Sequence, residues 1–302
     1  MRSRINHLLG ARVIAASVPG DSGILPGAQI QVQTSQGNAF IKALGTENAG
    51  HLDLLRQEIT LSPLLPAGAH RPELLWSIDE ELPGLGVWVA VGYRMRSTVR
   101  PIDLSWPEGD VEALVRAVRS IGEIDAPDDP MFVPEEKTFP VGAWEALADR
   151  RPAGLARHSP WLAGRLEGLA EIASHAPEAI AGTSLQHGNL RVQNVLLPMA
   201  RDEAPLITDW VRGGAGAPFL DLVSMLLHVR VGGGPPPEAT LRRYGLPPGI
   251  DPDAVTCWIA VLAGHYVRSS MEPPPPDRPQ LRSAEHLLAL AAVAWLQTRL
   301  GF

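Results

Sequence analysis

The segments of this chain change from strands to helices near residue 95, and that change limits the folds it can adopt. Before it, five alternating or apolar β-rich runs surround one helical stretch at His51 to Ser62: ARVIAASVP, AQIQVQT, AFIKAL, ELLWSI and GVWVAVGY. Turn-rich stretches such as SQGN and DEELPG separate the runs. The order β, β, β, α, β, β predicts an antiparallel sheet with one helix in residues 1–95.

Residues 96–302 are predicted to be mainly helical. Apolar residues recur at spacings of three and four in DVEALVRAVRSIGEI, GAWEALADR, WLAGRLEGLAEIASHA and PFLDLVSMLLHV. A short β island, SLQHGNLRVQNVLL followed by APLITDW, interrupts these helices. A chain of 302 residues is long enough for two lobes that share a cleft. We therefore expect an α+β fold with an antiparallel β-rich N-terminal lobe, 1–95, and a mainly helical C-terminal lobe, 96–302.

Composition narrows the class of function. The formal net charge of −7 argues against a nucleic-acid partner, which usually needs a clustered basic face. The longest apolar run, Leu287 to Leu296, is too short to cross a bilayer, and no apolar segment follows the basic N-terminus. The single cysteine, Cys257, suits a reducing compartment. We expect a cytoplasmic protein without a membrane partner. The sequence contains no HExxH pair of histidines that would indicate a zinc site.

The segment from His187 to Val195 carries the most informative polar residues. It reads HGNLRVQNV, and Asp209, in the run ITDW, follows Asn194 by fifteen residues. Because apolar strand-like residues flank these polar ones, their side chains can meet at the mouth of a hairpin. An amide oxygen from Asn194 and a carboxylate from Asp209 are hard ligands of the kind that magnesium needs when it bridges ATP phosphates.

This segment resembles the catalytic loop of aminoglycoside phosphotransferases and the related choline-kinase-like enzymes. In that family HGDxxxxN is followed by a strand that ends in an Asp before an aromatic residue. The run Gly216 to Leu222, GAPFLDL, also resembles the family's G-x-P-x-x-D-L helix start. The resemblance is specific over about Leu185 to Leu222 and covers most of the chain coarsely. It implies a two-lobed protein-kinase-like fold.

The resemblance assigns roles to four residues. Asn194 and Asp209 would bind Mg²⁺, Lys42 would contact ATP phosphates, and Glu58 on the following helix would orient Lys42. The residues themselves agree with the last pair, since Lys42 lies in the apolar run AFIKAL and Glu58 shares a helical stripe with apolar neighbours. An exposed strand-end lysine and a solvated glutamate are the alternative. Only two lysines, Lys42 and Lys137, occur in the chain.

Further predictions concern the catalytic loop, the adenine hinge and the turn between the first two strands. His187 is expected to brace the catalytic loop, and Asp221 is expected to do the same from the first turn of a helix. Gly92, Tyr93 and Arg94 are predicted to form the adenine hinge, from their position after the fifth strand. The turn at residues 20–27 is predicted to cover nucleotide phosphates, and its GDSG run lacks the continuation and upstream base of a serine protease.

Asn189 stands where the family carries its catalytic Asp, which accepts the proton of the substrate hydroxyl. An amide cannot take that proton, although it can orient a hydroxyl by accepting its hydrogen bond. Three explanations stay open: a natural pseudokinase, an enzyme changed at this one position, or transfer with another base or none. Arg191 also departs from the family pattern, because many relatives carry His there.

The expected function is therefore ATP- and Mg²⁺-dependent phosphorylation of a hydroxyl group on a small molecule, an aminoglycoside or another natural product. The first alternative is a nucleotide-binding pseudokinase that acts as a regulatory or scaffolding module. A second alternative uses the same site to phosphorylate a Ser or Thr of a peptide.

Overall fold

The structure, a computed structural model, describes residues 2–18, 27–200, 203–276 and 278–302. Its contacts group the chain into two compact units. The first contains residues 1–102 and 193–213, and the second contains residues 103–192 and 214–302. The lobe boundary between residues 95 and 96 stays a prediction.

The first unit contains a five-stranded antiparallel sheet with the strand order β1-β2-β3-β5-β4. Its strands are β1 (Val13–Ser17), β2 (Ala28–Thr34), β3 (Gly37–Gly45), β4 (Leu74–Leu82) and β5 (Gly86–Arg94). The turn between β2 and β3 closes at Gly37, whose φ of 118° is open to glycine but strained for other residues. The five predicted strands are thus present. The predicted turn DEELPG is wrong in its extent, because Asp79 to Leu82 pair with β5 as part of β4 and only residues 83–85 form the turn.

Two helices accompany this sheet, α1 (Arg2–Leu9) and α2 (Ala49–Leu61). The prediction of a single helix in residues 1–95 is therefore wrong, because it does not include α1. On the sheet face toward α2, side chains of β3, β5 and α2 form one buried apolar cluster: Leu44, Leu52, Leu55, Val89, Val91 and Tyr93. On the opposite face a second cluster contains Val13, Val32, Ala39 and Ile41, with Leu9 of α1 packed against it. Successive residues of β3 point to opposite faces. Residues 40, 42 and 44 therefore share the face toward α2.

A smaller sheet also belongs to the first unit. Its strands are β6 (Val99–Pro101), β9 (Val195–Pro198) and β10 (Leu206–Ile207), in the order β10-β9-β6. In the antiparallel pair of β9 and β10, Val195 lies opposite Ile207. This register brings the residue before β9 close to the residues after β10.

The second unit is mainly helical. Its helices are α3 (Glu108–Gly122), α4 (Glu135–Thr138), α5 (Ala143–Arg150), α6 (Leu166–Ser174), α7 (Ala176–Ala179), α8 (Leu220–Val231), α9 (Pro237–Tyr244), α10 (Pro252–Ser269) and α11 (Leu281–Arg299). A three-stranded sheet of β7 (Val133–Pro134), β8 (Ser184–Gln186) and β11 (Gly214–Gly216) accompanies them.

Helix α10 lies at the centre of this unit and packs against α5, α6, α7, α8 and α11. The fully buried Trp144 of α5 donates its indole N–H to the carbonyl of Ala260 at 2.7 Å. At Gly264 a side chain would come within 2.8 Å of the same indole. The absence of a side chain there lets α5 and α10 approach closely.

The predicted α+β architecture, an antiparallel sheet followed by a mainly helical part, is confirmed. One predicted helix differs at its start, since residues 160–164 form a 3-10 turn and α6 begins only at Leu166. Arg165 interrupts the two because its φ of −135° is not helical. In the part of the chain that the structure describes, no helix is both long and apolar enough to cross a lipid bilayer.

Candidate functional site

Lys42 is a buried charge in the middle of β3. It is 7% exposed, and it lies on the sheet face that packs against α2. A lysine buried to this extent needs a partner, because transferring an ammonium group away from water is costly. Lys42 therefore lies in an apolar strand, as the sequence predicts.

Glu58 on α2 is that partner. Lys42 Nζ donates to Glu58 Oε1 at 2.8 Å and to Oε2 at 2.9 Å, and Glu58 is only 2% exposed. Tyr93 Oη donates a further hydrogen bond to Glu58 Oε1 at 3.0 Å. Glu58 belongs to the buried stripe of α2, with Leu55 and Leu61 on either side of it. Three elements, β3, α2 and β5, thus fix the position of one ammonium group.

Lys42 also donates a hydrogen bond to Oδ1 of Asp209. Burial disfavours the charged ammonium, but the carboxylates of Glu58 and Asp209 outweigh it and hold the pKa of Lys42 above its usual range. The ammonium is therefore charged at neutral pH. A permanent cation at this point can bind an anionic group such as a phosphate.

Asn194 and Asp209 meet as their spacing predicted. Asn194 precedes β9, Asp209 follows β10, and Asn194 Nδ2 donates to Asp209 Oδ2 at 2.8 Å. The backbone N–H of Thr208 donates to the carbonyl of Asn194 at 2.8 Å, which holds the two segments together. Asp209 has a φ of 65°, in the left-handed region that few residues other than glycine occupy. Such strain is common at functional sites.

Asp209 and Asn194 provide oxygen ligands of the kind that Mg²⁺ prefers. Within residues 2–18, 27–200, 203–276 and 278–302, no three His, Cys, Asp or Glu side chains come together to hold a metal ion. Mg²⁺ is usually bound through one or two carboxylates, while waters and substrate phosphates complete its octahedron. The side chain of Asp209 is 36% exposed and so accessible to such a ligand. The donor set fits an ion that arrives with phosphates.

The loop that carries His187 lies in the second unit and is braced by Asp221. The backbone N–H groups of His187 and Gly188 donate to the Asp221 carboxylate at 2.5 and 3.2 Å. Gln186 accepts a hydrogen bond from the Asp221 N–H at 3.3 Å, and Gly188 has a φ of 70°. Burial raises the pKa of Asp221, an effect that His187 and the two N–H donors oppose. These contacts define the loop conformation.

Asn189 follows directly in this loop and is exposed. Its carboxamide is neutral at every ordinary pH, so it offers a hydrogen-bond acceptor but no base. His187, in contrast, is completely buried. The position that resembles the family's catalytic one is thus open to solvent.

The adenine-hinge residues Gly92, Tyr93 and Arg94 are predicted to follow the fifth strand, and that placement is wrong. They lie inside β5, because the strand continues to Arg94 and pairs with β3 and β4. Gly92 is opposite Ile41 of β3 and Trp76 of β4, and a side chain at Gly92 would come within 2.4 Å of the Trp76 indole. Tyr93 supports Glu58, as described above. The backbone N–H of Arg94 donates to the carbonyl of Glu73 at 2.9 Å, and the two side chains form an ion pair. Adenine binding by these residues stays a prediction.

Sequence reasoning did not identify a group of polar residues near the His187 loop. Burial, together with the guanidinium of Arg191, lowers the pKa of His228 on α8 to about 4. Burial raises the pKa of Tyr266 on α10 to about 12, which Arg191 opposes. His228 and Tyr266 are therefore both neutral near pH 7. No sequence signal links these three residues, since they belong to separate segments.

The predicted phosphate-covering turn, residues 20–27, lies outside the described residues except for Gly27. Its contribution to the site stays a prediction.

Comparison with known proteins places this geometry in a context. Among curated proteins, none has a sequence that matches the chain significantly. The structure is similar to that of a thermostable mutant of aminoglycoside phosphotransferase APH(4)-Ia in a ternary complex with AMP-PNP and hygromycin B. The TM-score is 0.61 at 13% identity, and the match covers 100% of this chain and 99% of that one.

Two further structures show the same fold. Spectinomycin phosphotransferase, APH(9)-Ia, in complex with ADP and spectinomycin, has a TM-score of 0.51 at 14% identity over 98% of this chain and 99% of that one. Choline kinase LicA from Streptococcus pneumoniae has a TM-score of 0.55 at 14% identity over 96% of this chain and 97% of that one. The predicted protein-kinase-like fold is confirmed.

The sequence model described as "Phosphotransferase enzyme family" matches residues 41–256, which include Lys42, Glu58, Asn194 and Asp209. The chain belongs to this phosphotransferase family.

Proposed function

We propose that this protein transfers the terminal phosphate of ATP, bound with Mg²⁺, to a hydroxyl group of a small molecule. One observation carries the proposal: Lys42, Glu58, Asn194 and Asp209, from four separate segments, form a single hydrogen-bonded group. Lys42 is a cation whose three N–H groups donate to Glu58 and Asp209, and phosphate oxygens would replace Asp209 as its partner. Asp209 with Asn194 is a pair of hard oxygen donors. Family membership supports the same chemistry.

In the proposed reaction the acceptor hydroxyl oxygen forms a bond to the γ-phosphorus. The bond from that phosphorus to the bridging oxygen of ATP breaks, ADP leaves with the electron pair, and the hydroxyl proton is released. Negative charge develops on the leaving oxygen, and positioning with charge stabilisation supplies most of the catalysis. Lys42 would hold the phosphates for this step, and Glu58 would keep its ammonium in place.

Asp209 and Asn194 would hold the Mg²⁺ ion. When bound, such an ion neutralises charge on the phosphate oxygens. Because Lys42 already donates to Asp209, the ammonium and the metal donors lie next to each other in the first unit. Phosphates that bind Lys42 are therefore also within reach of the metal donors.

The hydroxyl proton has no carboxylate acceptor at residue 189. General-base catalysis contributes roughly 10²- to 10⁴-fold, so its loss slows the transfer without preventing it. Asn189 would accept a hydrogen bond from the acceptor hydroxyl and orient it, while the proton leaves to water or to the phosphate. We expect slow turnover for this reason.

Asn189 also supports a second candidate function. A pseudokinase that binds nucleotide for a regulatory or scaffolding purpose needs the Lys42 and Asp209 group but no base at residue 189.

The acceptor molecules in the relatives described above, hygromycin B and spectinomycin, are small, and nothing in these relatives supports a peptide acceptor. A cytoplasmic location stays a prediction from the sequence.

The test measures Mg²⁺-dependent ATP consumption with a panel of aminoglycosides, nucleosides and other polyhydroxylated compounds. The wild type and Asn189→Asp are compared, and the variant is expected to be about 10²- to 10⁴-fold faster on the compound that is phosphorylated. Lys42→Met should abolish turnover. Lys137→Met, at the exposed second lysine of the chain, is the matched control and should leave turnover unchanged.

The outcome separates the two candidate functions. Turnover that depends on Lys42 but not on Lys137 supports the transferase. ATP binding without turnover in the wild type and in Asn189→Asp, over the whole panel, supports the binding module instead.

A further inference from the structure

A groove of about 550 Å³ lies in the second unit, and its lining residues differ from those assigned above. Its walls come from the segment that leads into α3, from Pro235, and from the exposed side of α9. This volume is within the range of small-molecule sites, roughly 300 to 1,000 Å³. None of the residues in the proposed transferase site lines it.

Trp106 forms one wall and is held firmly. Its backbone has a φ of 56°, a strained conformation for a tryptophan, and its indole N–H donates to the carbonyl of Gly232 at 2.7 Å. A side chain at Gly232 or Gly234 would come within 3.0 Å of the indole ring. The absence of side chains at these two glycines between α8 and α9 therefore lets the indole ring lie close to the backbone. An aromatic wall is in place before any ligand binds.

The charges of the groove are unequal. Among the residues that line the groove, Arg242 and Arg243 of α9 are basic and Glu108, which forms an ion pair with Arg243, is acidic. Glu238 of α9, outside the lining, also interacts with Arg242 and is paired with Arg299. The guanidinium of Arg243 lies 5.6 Å from the centre of the Tyr244 ring. Two guanidinium groups and one carboxylate leave an excess of one positive charge.

Tyr244 is held in place from its backbone. Arg119 of α3 donates a hydrogen bond to the carbonyl of Tyr244 at 2.8 Å, which links α3 to the end of α9. Val111, Pro235 and Ala239 add apolar surface to the lining. An aromatic and apolar surface next to a surplus of guanidinium groups suits a ligand that combines a flat apolar body with an anionic group.

We propose that this groove binds a small aromatic organic anion, separately from the transferase site. The ring of the ligand packs against Trp106 and the apolar wall, and its carboxylate or other anionic group pairs with Arg242 and Arg243. Guanidinium groups bind carboxylates through paired hydrogen bonds, so an anionic ligand should bind better than a neutral one of equal shape.

The experiment titrates the full chain with 2-naphthoate and with its neutral isostere 2-naphthamide by isothermal calorimetry. We expect 2-naphthoate to bind at least about tenfold more tightly. Arg242→Gln/Arg243→Gln should reduce its affinity to that of the amide. Arg116→Gln/Arg150→Gln removes the same charge from exposed positions of the same unit and should change nothing.

Saturating Mg²⁺ and ATP should leave the binding of 2-naphthoate unchanged, since the groove is distinct from the transferase site. The Arg242→Gln/Arg243→Gln change is at the surface, so we expect the variant to fold. A melting curve like that of the wild type verifies this. Equal affinity for acid and amide, undiminished binding to this variant, or displacement by ATP would each overturn the proposal.

Discussion

Lys42 Nζ lies 2.8 Å from Glu58 Oε1 and 2.9 Å from Glu58 Oε2, and both residues are buried. Asp209 shares the same ammonium group. One cation is thus positioned between a carboxylate that is inaccessible to ligands and a carboxylate that is partly exposed. The buried partner fixes the lysine, and the exposed partner marks the side on which a phosphate and a metal ion can approach.

Replacing Glu58 by Gln should destabilise the protein and weaken ATP binding. The substitution removes one of the two charges that balance Lys42, while Asp209 still compensates in part. We expect a loss of about 1–3 kcal/mol in the free energy of unfolding, measured by urea denaturation. Glu81→Gln, at an exposed position of β4, is the control and should be close to neutral. An unchanged stability of Glu58→Gln would argue against the pair.

Tyr93→Phe tests the hydroxyl that donates to Glu58 at 3.0 Å. The ring still fills its space in the core, so the change should cost about 1 kcal/mol in unfolding free energy. In a double-mutant cycle with Glu58→Gln, the two effects should be non-additive, because the residues share a hydrogen bond. Strictly additive effects would show that Tyr93 does not act through Glu58.

Asp221→Asn should disturb the His187 loop. The carboxylate accepts from two backbone N–H groups, whereas an amide of the same shape brings its own N–H donors toward one of them. The expected cost is about 1–3 kcal/mol in unfolding free energy. Faster amide hydrogen exchange at His187 and Gly188 should accompany it. Asp149→Asn, exposed on α5, controls for the charge, and protection of the loop amides in Asp221→Asn at the wild-type level would refute the bracing role.

His228 should make folding stability depend on pH. Its ordinary pKa of 6.5 is lowered to about 4 in the folded protein by burial and then by Arg191. Between these values the unfolded chain binds more protons, so stability is lost as the pH falls from 6.5 toward 4. The loss is at most about 3 kcal/mol. Urea denaturation of His228→Gln should show a smaller fall over this window, and the exposed His175→Gln should behave as wild type. Equal falls in His228→Gln and wild type would contradict this assignment.

Much of the first unit is predictable because its signals are local. The alternation in AQIQVQT indicates β2, and the apolar run AFIKAL indicates β3. The two-residue period of a strand puts Lys42 on one face with Leu44. Glu58 falls on the apolar stripe of α2, so its burial follows from helical spacing. The meeting of Asn194 and Asp209 follows from a hairpin between two short apolar runs.

The contacts that the sequence did not predict depend on the register between segments that are distant in sequence. Tyr93 reaches Glu58 because β5 pairs with β3 so that Val91 lies opposite Lys42, and no local pattern specifies that register. Strands of two or three residues, such as β7 and β11, are too short to show alternation. The groove at Trp106 combines residues more than a hundred positions apart, held together by α3 and α9.

The most direct test of the central claim is calorimetric titration of ATP with and without Mg²⁺ into the wild type, Asp209→Ala and Asp53→Ala. Asp53 lies exposed on α2 and controls for the loss of a carboxylate. We expect Mg²⁺ to strengthen ATP binding in the wild type and in Asp53→Ala, and we expect this effect to disappear in Asp209→Ala. An undiminished effect of Mg²⁺ on ATP binding by Asp209→Ala would contradict the central claim.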